Sequence, residues 1–142
     1  MLSALLAAPP KAALQPSSRV EEVVSAGGVR AYLMREPSIP FLALCFHVRG
    51  GGALDPSGRE GLAYMASGLL DEGAGPYDSQ AFRAQLEDHA IRLQLEADRD
   101  AVQGDLRTLS ANREHAFELL RLALSEARFD AEPVERVRSQ IL

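Results

Sequence analysis

The sequence predicts an α+β fold in which a mixed or antiparallel sheet carries helices packed on one face. Three observations support this. The hydrophobic periodicities run β-β-β-α-α-β-β-α-α, so strands come in hairpin-like groups instead of alternating singly with helices. The chain has 142 residues, 46% of them hydrophobic, which is enough to bury a core without disulfides or a structural metal. The helical segments also place apolar residues at the spacing of one buried stripe.

Taken in order, Arg19 to Val24 is β-rich, Ala26-Gly27-Gly28 is a turn, and Val29 to Arg35 alternates apolar and polar residues, which together read as a β-hairpin. Glu36-Pro37-Ser38-Ile39-Pro40 breaks the chain, because each proline lacks a ladder donor and restricts its predecessor. Phe41 to Val48 reads as a strand buried on both faces, with Cys45 as a buried strand residue, and Gly50-Gly51-Gly52 ends it. After the turn Asp55-Pro56-Ser57-Gly58, residues Leu62, Met65, Ala66, Leu69 and Leu70 mark one helical face that runs out at Gly73-Ala74-Gly75-Pro76. Asp78 is the expected N-cap of a second helix with Ala81, Phe82, Gln85, Leu86 and His89 on one side. Ile91, Leu93 and Leu95 alternate as a strand, and Ala101 to Leu109 reads as another. From Asn112, residues Ala116, Phe117, Leu120, Ala123, Leu124 and Ala127 mark a long amphipathic helix. A last helix begins near Glu132-Pro133, where the missing proline donor is harmless, and continues to Leu142.

The first residues, Met1 to Ala8, are apolar and are followed by Pro9-Pro10 and small residues. They are too few to span a bilayer, and they resemble the end of a secretory signal without its basic start. Residues 1–16 are therefore expected to be a signal remnant or a disordered tail, with a periplasmic or otherwise exported protein as the corollary. Residues 17–142 are expected to form part of a domain, because the final helix is still running at the last residue.

Charge and motif content exclude several functions. Fifteen Lys and Arg against twenty Asp and Glu give a net charge of −5, and the cations are scattered, so nucleic acid is not an expected partner. One cysteine rules out an internal disulfide and a multi-cysteine zinc site. His47, His89 and His115 show no metal-ligand spacing, no Gly-x-Ser-x-Gly surrounds a serine, and Gly50-Gly51-Gly52 lacks the Gly-Lys-Ser/Thr of a phosphate loop. Asp98-Arg99-Asp100 reads as a turn without the partner acids of a calcium loop.

One segment is specific. Gly50-Gly51-Gly52-Ala53-Leu54-Asp55-Pro56-Ser57-Gly58-Arg59-Glu60-Gly61-Leu62-Ala63 resembles the approach to the active-site helix of the pitrilysin/insulinase zinc peptidases, the group that includes the mitochondrial processing peptidases. The likeness extends over about residues 19 to 142, through the hairpin around Val29-Arg30-Ala31-Tyr32, the Phe82 to Leu86 helix and the Ala127-Arg128-Phe129-Asp130 boundary. In catalytic members the helix carries His-x-x-Glu-His, whose histidines share one face and bind zinc while the glutamate activates the metal-bound water. Matching Gly61-Leu62-Ala63 to the family puts these three positions at Tyr64, Ser67 and Gly68. A phenol with an ordinary pKa of about 10 is a poor zinc ligand at neutral pH, serine cannot replace a carboxylate base, and glycine offers no side chain. By the same matching the third ligand would lie just beyond Leu142, and an upstream carboxylate position falls at Val137.

The resemblance thus implies a non-catalytic homologue: no catalytic or metal-ligating residues, no cofactor of its own, and zinc only in a catalytic partner of the same family. Its expected role is to support peptide binding and assembly with that partner, an extended peptide adding to an exposed strand edge while Tyr64, Ser67 and Gly68 face the former zinc cavity. Two alternatives stand beside it. One is an active metallopeptidase with atypical or partner-supplied ligands, and the other is a structural complex-assembly subunit.

Overall fold

The computed structural model describes residues 19–141. The signal-like stretch expected at the start, and Leu142, lie outside the described residues. The chain divides into two compact units at the Ile39–Pro40 junction, inside the proline-flanked break.

The first unit is a hairpin of β1 (Val20–Val24) and β2 (Arg30–Met34), with antiparallel register Val20↔Met34 through Val24↔Arg30. Gly28 takes a positive φ of 83° in its turn, which glycine adopts without steric cost. Arg35 pairs with Glu21, and Arg30 with Glu22, both at the exposed surface.

The second unit holds a three-stranded antiparallel sheet in the order β3 (Phe41–Arg49), β5 (Ala101–Leu109), β4 (Arg92–Ala97). β5 is central, and its register runs Phe41↔Leu109 to Arg49↔Ala101 on one side and Arg92↔Arg107 to Ala97↔Val102 on the other. Around it lie α1 (Leu62–Ser67), α2 (Ser79–Asp88), α3 (Arg113–Ser125) and α4 (Ala131–Ile141). Leu93, Leu95 and Leu106 turn inward to a core shared with Phe82, Ala116, Leu119, Leu120, Leu122 and Ala123. The α+β arrangement expected from the sequence is therefore present, with period-2 burial along β4 and period-3.6 burial along α3.

Gly104 sits inside β5 because it is paired with Phe46: a Cβ there would lie 2.1 Å from the aromatic ring. The glycine lets the ring close over the strand and reach the core. Gly51 is fixed in the same way, since a Cβ would meet the Asp98 carbonyl at 2.1 Å. The N–H groups of Gly50, Gly52 and Ala53 donate to the carbonyls of Asp100, Asp98 and Arg99. The glycine run is thus a strand exit bound to the Asp98 turn, and those amides are not free for a phosphate.

Several expectations are corrected. The Phe41–Val48 run is not buried on both faces. Leu44 and Phe46 pack on the core, whereas Phe41, Ala43, Cys45 and His47 point to the uncovered face of the sheet. Cys45 is accordingly exposed. Its thiol donates to an Asp105 carboxylate oxygen at 3.2 Å, and that hydrogen bond pushes the thiol pKa up, making a reactive thiolate less accessible. The first helix is shorter than its apolar stripe predicts: it ends at Ser67, and Leu69 reaches the core from the turns that follow. Phe117 and Leu124 of α3 are exposed where the amphipathic reading placed them on the buried side. The Asp78 cap and the proline in the first turn of α4 are found as expected, with Asp78 accepting from the Ala81 N–H at 2.8 Å.

Candidate functional site

The segment matched to the peptidase motif is built by Asp55. Gly61, at φ 94°, precedes α1 and has no side chain to cap it. The Asp55 carboxylate does this instead, accepting from the Gly61 N–H at 2.8 Å and from the Ala63 N–H at 3.0 Å. An acid at a helix N-terminus satisfies orphan amides and meets the positive end of the backbone dipoles. Asp55 read in sequence only as a turn residue; its capping reach of six to eight residues depends on how the loop folds back.

One turn into the helix, Tyr64 projects outward and is 58% exposed, whereas Ser67 is buried. The Ser67 hydroxyl donates back to the Tyr64 carbonyl at 2.9 Å, and the Gly68 N–H donates to the same oxygen at 3.2 Å. Tyr64 and Gly68 are thus stacked on one face, as residues four apart on a helix should be. Gly68 has φ −71°, and a Cβ added there would stand 3.7 Å or more from its neighbours, so neither backbone nor space requires glycine at this position.

These three residues line a cavity of about 540 Å³. Its opposite wall is α4, through Val137, Gln140 and Ile141, and its side is the edge of β4, through Leu95, Glu96 and Ala97. The structure therefore brings together Tyr64, Ser67 and Gly68, the positions matched to the His-x-x-Glu-His motif, with Val137, the position matched to an upstream carboxylate of the later helix.

Glu72 completes the lining and was not singled out in the sequence. A single oxygen, Oε2, accepts from the Ser79 hydroxyl at 2.6 Å and from the Arg136 guanidinium, and stands 3.5 Å from Arg83. Burial works to raise the pKa of this carboxyl, but the hydrogen bonds from Arg136 and Ser79 and the two guanidinium charges outweigh it and hold the value below the ordinary range. Neighbouring Asp71 is shifted the other way, chiefly by burial. The Glu72 node ties the exit of α1 to α2 and α4, and so spans the two helical walls of the cavity.

The donor set does not fit zinc. The cavity offers a phenol, a hydroxyl already bonded to the backbone, and two carboxylates, one of which is engaged by two arginines. Among the described residues no group of three or more His, Cys, Asp or Glu side chains is placed to hold a metal ion. His89 and His115, unrelated by spacing, do meet elsewhere: their rings stand 4.2 Å apart, with His89 Nδ1 3.0 Å from the Gln85 carbonyl and His115 Nε2 3.0 Å from the Gln85 side-chain oxygen. Burial, then the charge of His89, lowers the His115 pKa. No helix among the described residues is long and apolar enough to cross a membrane.

No protein-family model matches the chain. The chain is 28% identical over 131 residues to the non-peptidase homolog YmxG of Helicobacter pylori, covering 91% of this chain and 30% of that protein. It superposes on the crystal structure of a peptidase M16 inactive domain from Pseudomonas fluorescens with a TM-score of 0.79 and 25% identity, over 87% of this chain and 30% of that one. Pitrilysin shares the fold at a TM-score of 0.74 and 19% identity, over 88% of this chain and 13% of that one. The chain thus spans about 30% of the length of the first two relatives. The resemblance to pitrilysin-type peptidases read from the loop before α1 holds, and the two matches of higher identity are to a non-peptidase homolog and an inactive domain.

Proposed function

We propose that the protein works as a non-catalytic partner in a peptidase assembly, holding an extended peptide beside a catalytic zinc subunit of the same fold. The carrying observation is the cavity around Tyr64: it is lined by the three positions matched to the peptidase motif, whose side chains are poor zinc ligands, and the outer edge of β4 runs alongside. Among the described residues β4 pairs with β5 on one side only, and its Leu95–Ala97 end borders the cavity. An added strand would gain backbone hydrogen bonds along that edge and place alternate side chains toward the cavity. This reading also treats the described chain as the N-terminal portion of a peptidase-like domain, in keeping with the share of its relatives that it spans.

The test is co-expression with a same-fold protein that carries an intact His-x-x-Glu-His. The expected result is co-purification, an increase in peptide cleavage when this chain is added, and no stoichiometric zinc in this chain alone. Stoichiometric zinc lost on Tyr64→Ala would overturn the reading in favour of an active metallopeptidase. Stable assembly without any change in cleavage would instead identify a structural subunit.

A further inference from the structure

Resting on the peptide-binding reading above, we infer that the cavity takes an uncharged, leucine-sized apolar side chain of the added strand, and that Gly68 leaves the space for it. Side chains alternate across a strand, so β4 presents two different faces. Gln94 and Glu96 are exposed and stand across from Asp105 and Gln103 on the uncovered face of the sheet, where Cys45 and His47 also lie. Leu93 and Leu95 turn the other way, toward the helices. A residue added to the outer edge directly opposite Leu95 would share its face and meet Tyr64, Gly68 and Val137, while the residues on either side of it would point away, beside Gln94 and Glu96. Among the described residues that line the cavity, no unpaired charge faces such an occupant. Glu72 is engaged by Arg136, Arg83 and Ser79, and the Glu96 carboxylate belongs to the other face. What remains is the Tyr64 ring, Leu95, Val137 and Ile141, with the exposed Gln140 amide at the rim. A charged side chain entering here would lose water without gaining a partner, whereas an apolar one is favourably removed from water. Gly68 sets the depth. A Cβ there would stand 3.9 Å from Val137 Cγ1 across the gap between the exit of α1 and α4, and its φ of −71° suits any residue, so a larger side chain at 68 would enter the gap without backbone strain.

The experiment measures binding of end-blocked, threonine-rich peptides to the full chain, with leucine, alanine or glutamate at one central position. The leucine peptide should bind about tenfold more tightly than the alanine peptide, the size expected when three extra carbons are partly buried, and the glutamate peptide should bind more weakly than alanine. Added salt should leave the leucine preference in place. Gly68→Leu, which fills the gap from the α1 side, should erase the leucine preference and leave alanine binding intact, with an unchanged circular dichroism spectrum. Tyr64→Ala, at an exposed position, should reduce the preference without altering α4. Equal binding of the three peptides, or a leucine preference that survives both substitutions, overturns the side-chain selection while edge-strand addition stands. Loss of alanine binding in Gly68→Leu would place Gly68 under the peptide backbone and overturn its role in side-chain choice. If none of the peptides binds the wild-type chain, the peptide-binding reading falls as well.

Discussion

Replacing Glu72 by glutamine removes one charge from the node that joins α1, α2 and α4, and leaves the shape nearly unchanged. In the native protein Oε2 receives a charge-assisted bond from Arg136, a short bond from Ser79 and the nearby charge of Arg83. Bonds to charged groups contribute about 1.5–3 kcal/mol and neutral ones about 0.5–1.5. The Glu72 side chain is 13% exposed but Arg136 is 35% exposed and retains Glu132 at 3.5 Å, so the freed guanidinium partly rehydrates. The net loss in Glu72→Gln should be about 1–2 kcal/mol at neutral pH. Urea unfolding followed by circular dichroism would show it as a midpoint lowered by roughly 0.5–1 M. The pH dependence is an independent check. Because the folded carboxyl titrates below its ordinary value of 4.5, its stabilisation is present above that pH and is lost as pH falls through the folded value. Wild type and Glu72→Gln should therefore converge in strong acid. The raised pKa of Asp71 works in the opposite direction; burial, its main cause, is common to both proteins, whereas the smaller contribution of the Glu72 charge is lost in the variant. A difference below about 0.5 kcal/mol at neutral pH, or one undiminished in acid, would refute the assignment of Glu72 as a charged tie between the cavity walls.

Three further predictions address the core, the helix joint and the Tyr64 cavity. Gly104→Ala forces the Phe46 ring off the strand and should cost about 1–3 kcal/mol in urea unfolding; in Phe46→Ala the same change should cost little, and additive losses would contradict the contact. For His115, the folded pKa lies below the ordinary 6.5, so stability is present above that pH and falls as pH drops through the folded value; His115→Gln should flatten this slope, and an unchanged slope would assign it to other groups. Tyr64→His combined with Gly68→His places two imidazoles one turn apart where the structure leaves room, so zinc should raise the melting temperature of the double variant but not of wild type. Failure to respond would show that the stacked positions do not converge on a metal-sized space.

The chain-breaking prolines, the Asp78 cap, the inward leucines of β4 and the proline in the first turn of α4 were legible in the sequence because each is a local effect: backbone dihedrals, a nearby amide, or a repeat along one element. That Tyr64 and Ser67 carry neutral oxygens and Gly68 no side chain was legible too, since the chemistry of a side chain does not depend on the fold. Burial along β3 was not. An unbroken apolar run carries no record of whether a second layer covers it, and Cys45 is exposed because none of the described helices lies on that face. Glu72 was equally silent, because its decisive partner is 64 residues away and only packing of α4 against the exit of α1 brings them together. The His89–His115 contact and the Asp55 cap have the same origin. Sequence determined which groups this protein has; tertiary structure alone decided which of them meet. Coulomb and hydrogen-bond energies depend on distances in space, and separation along the chain does not fix those.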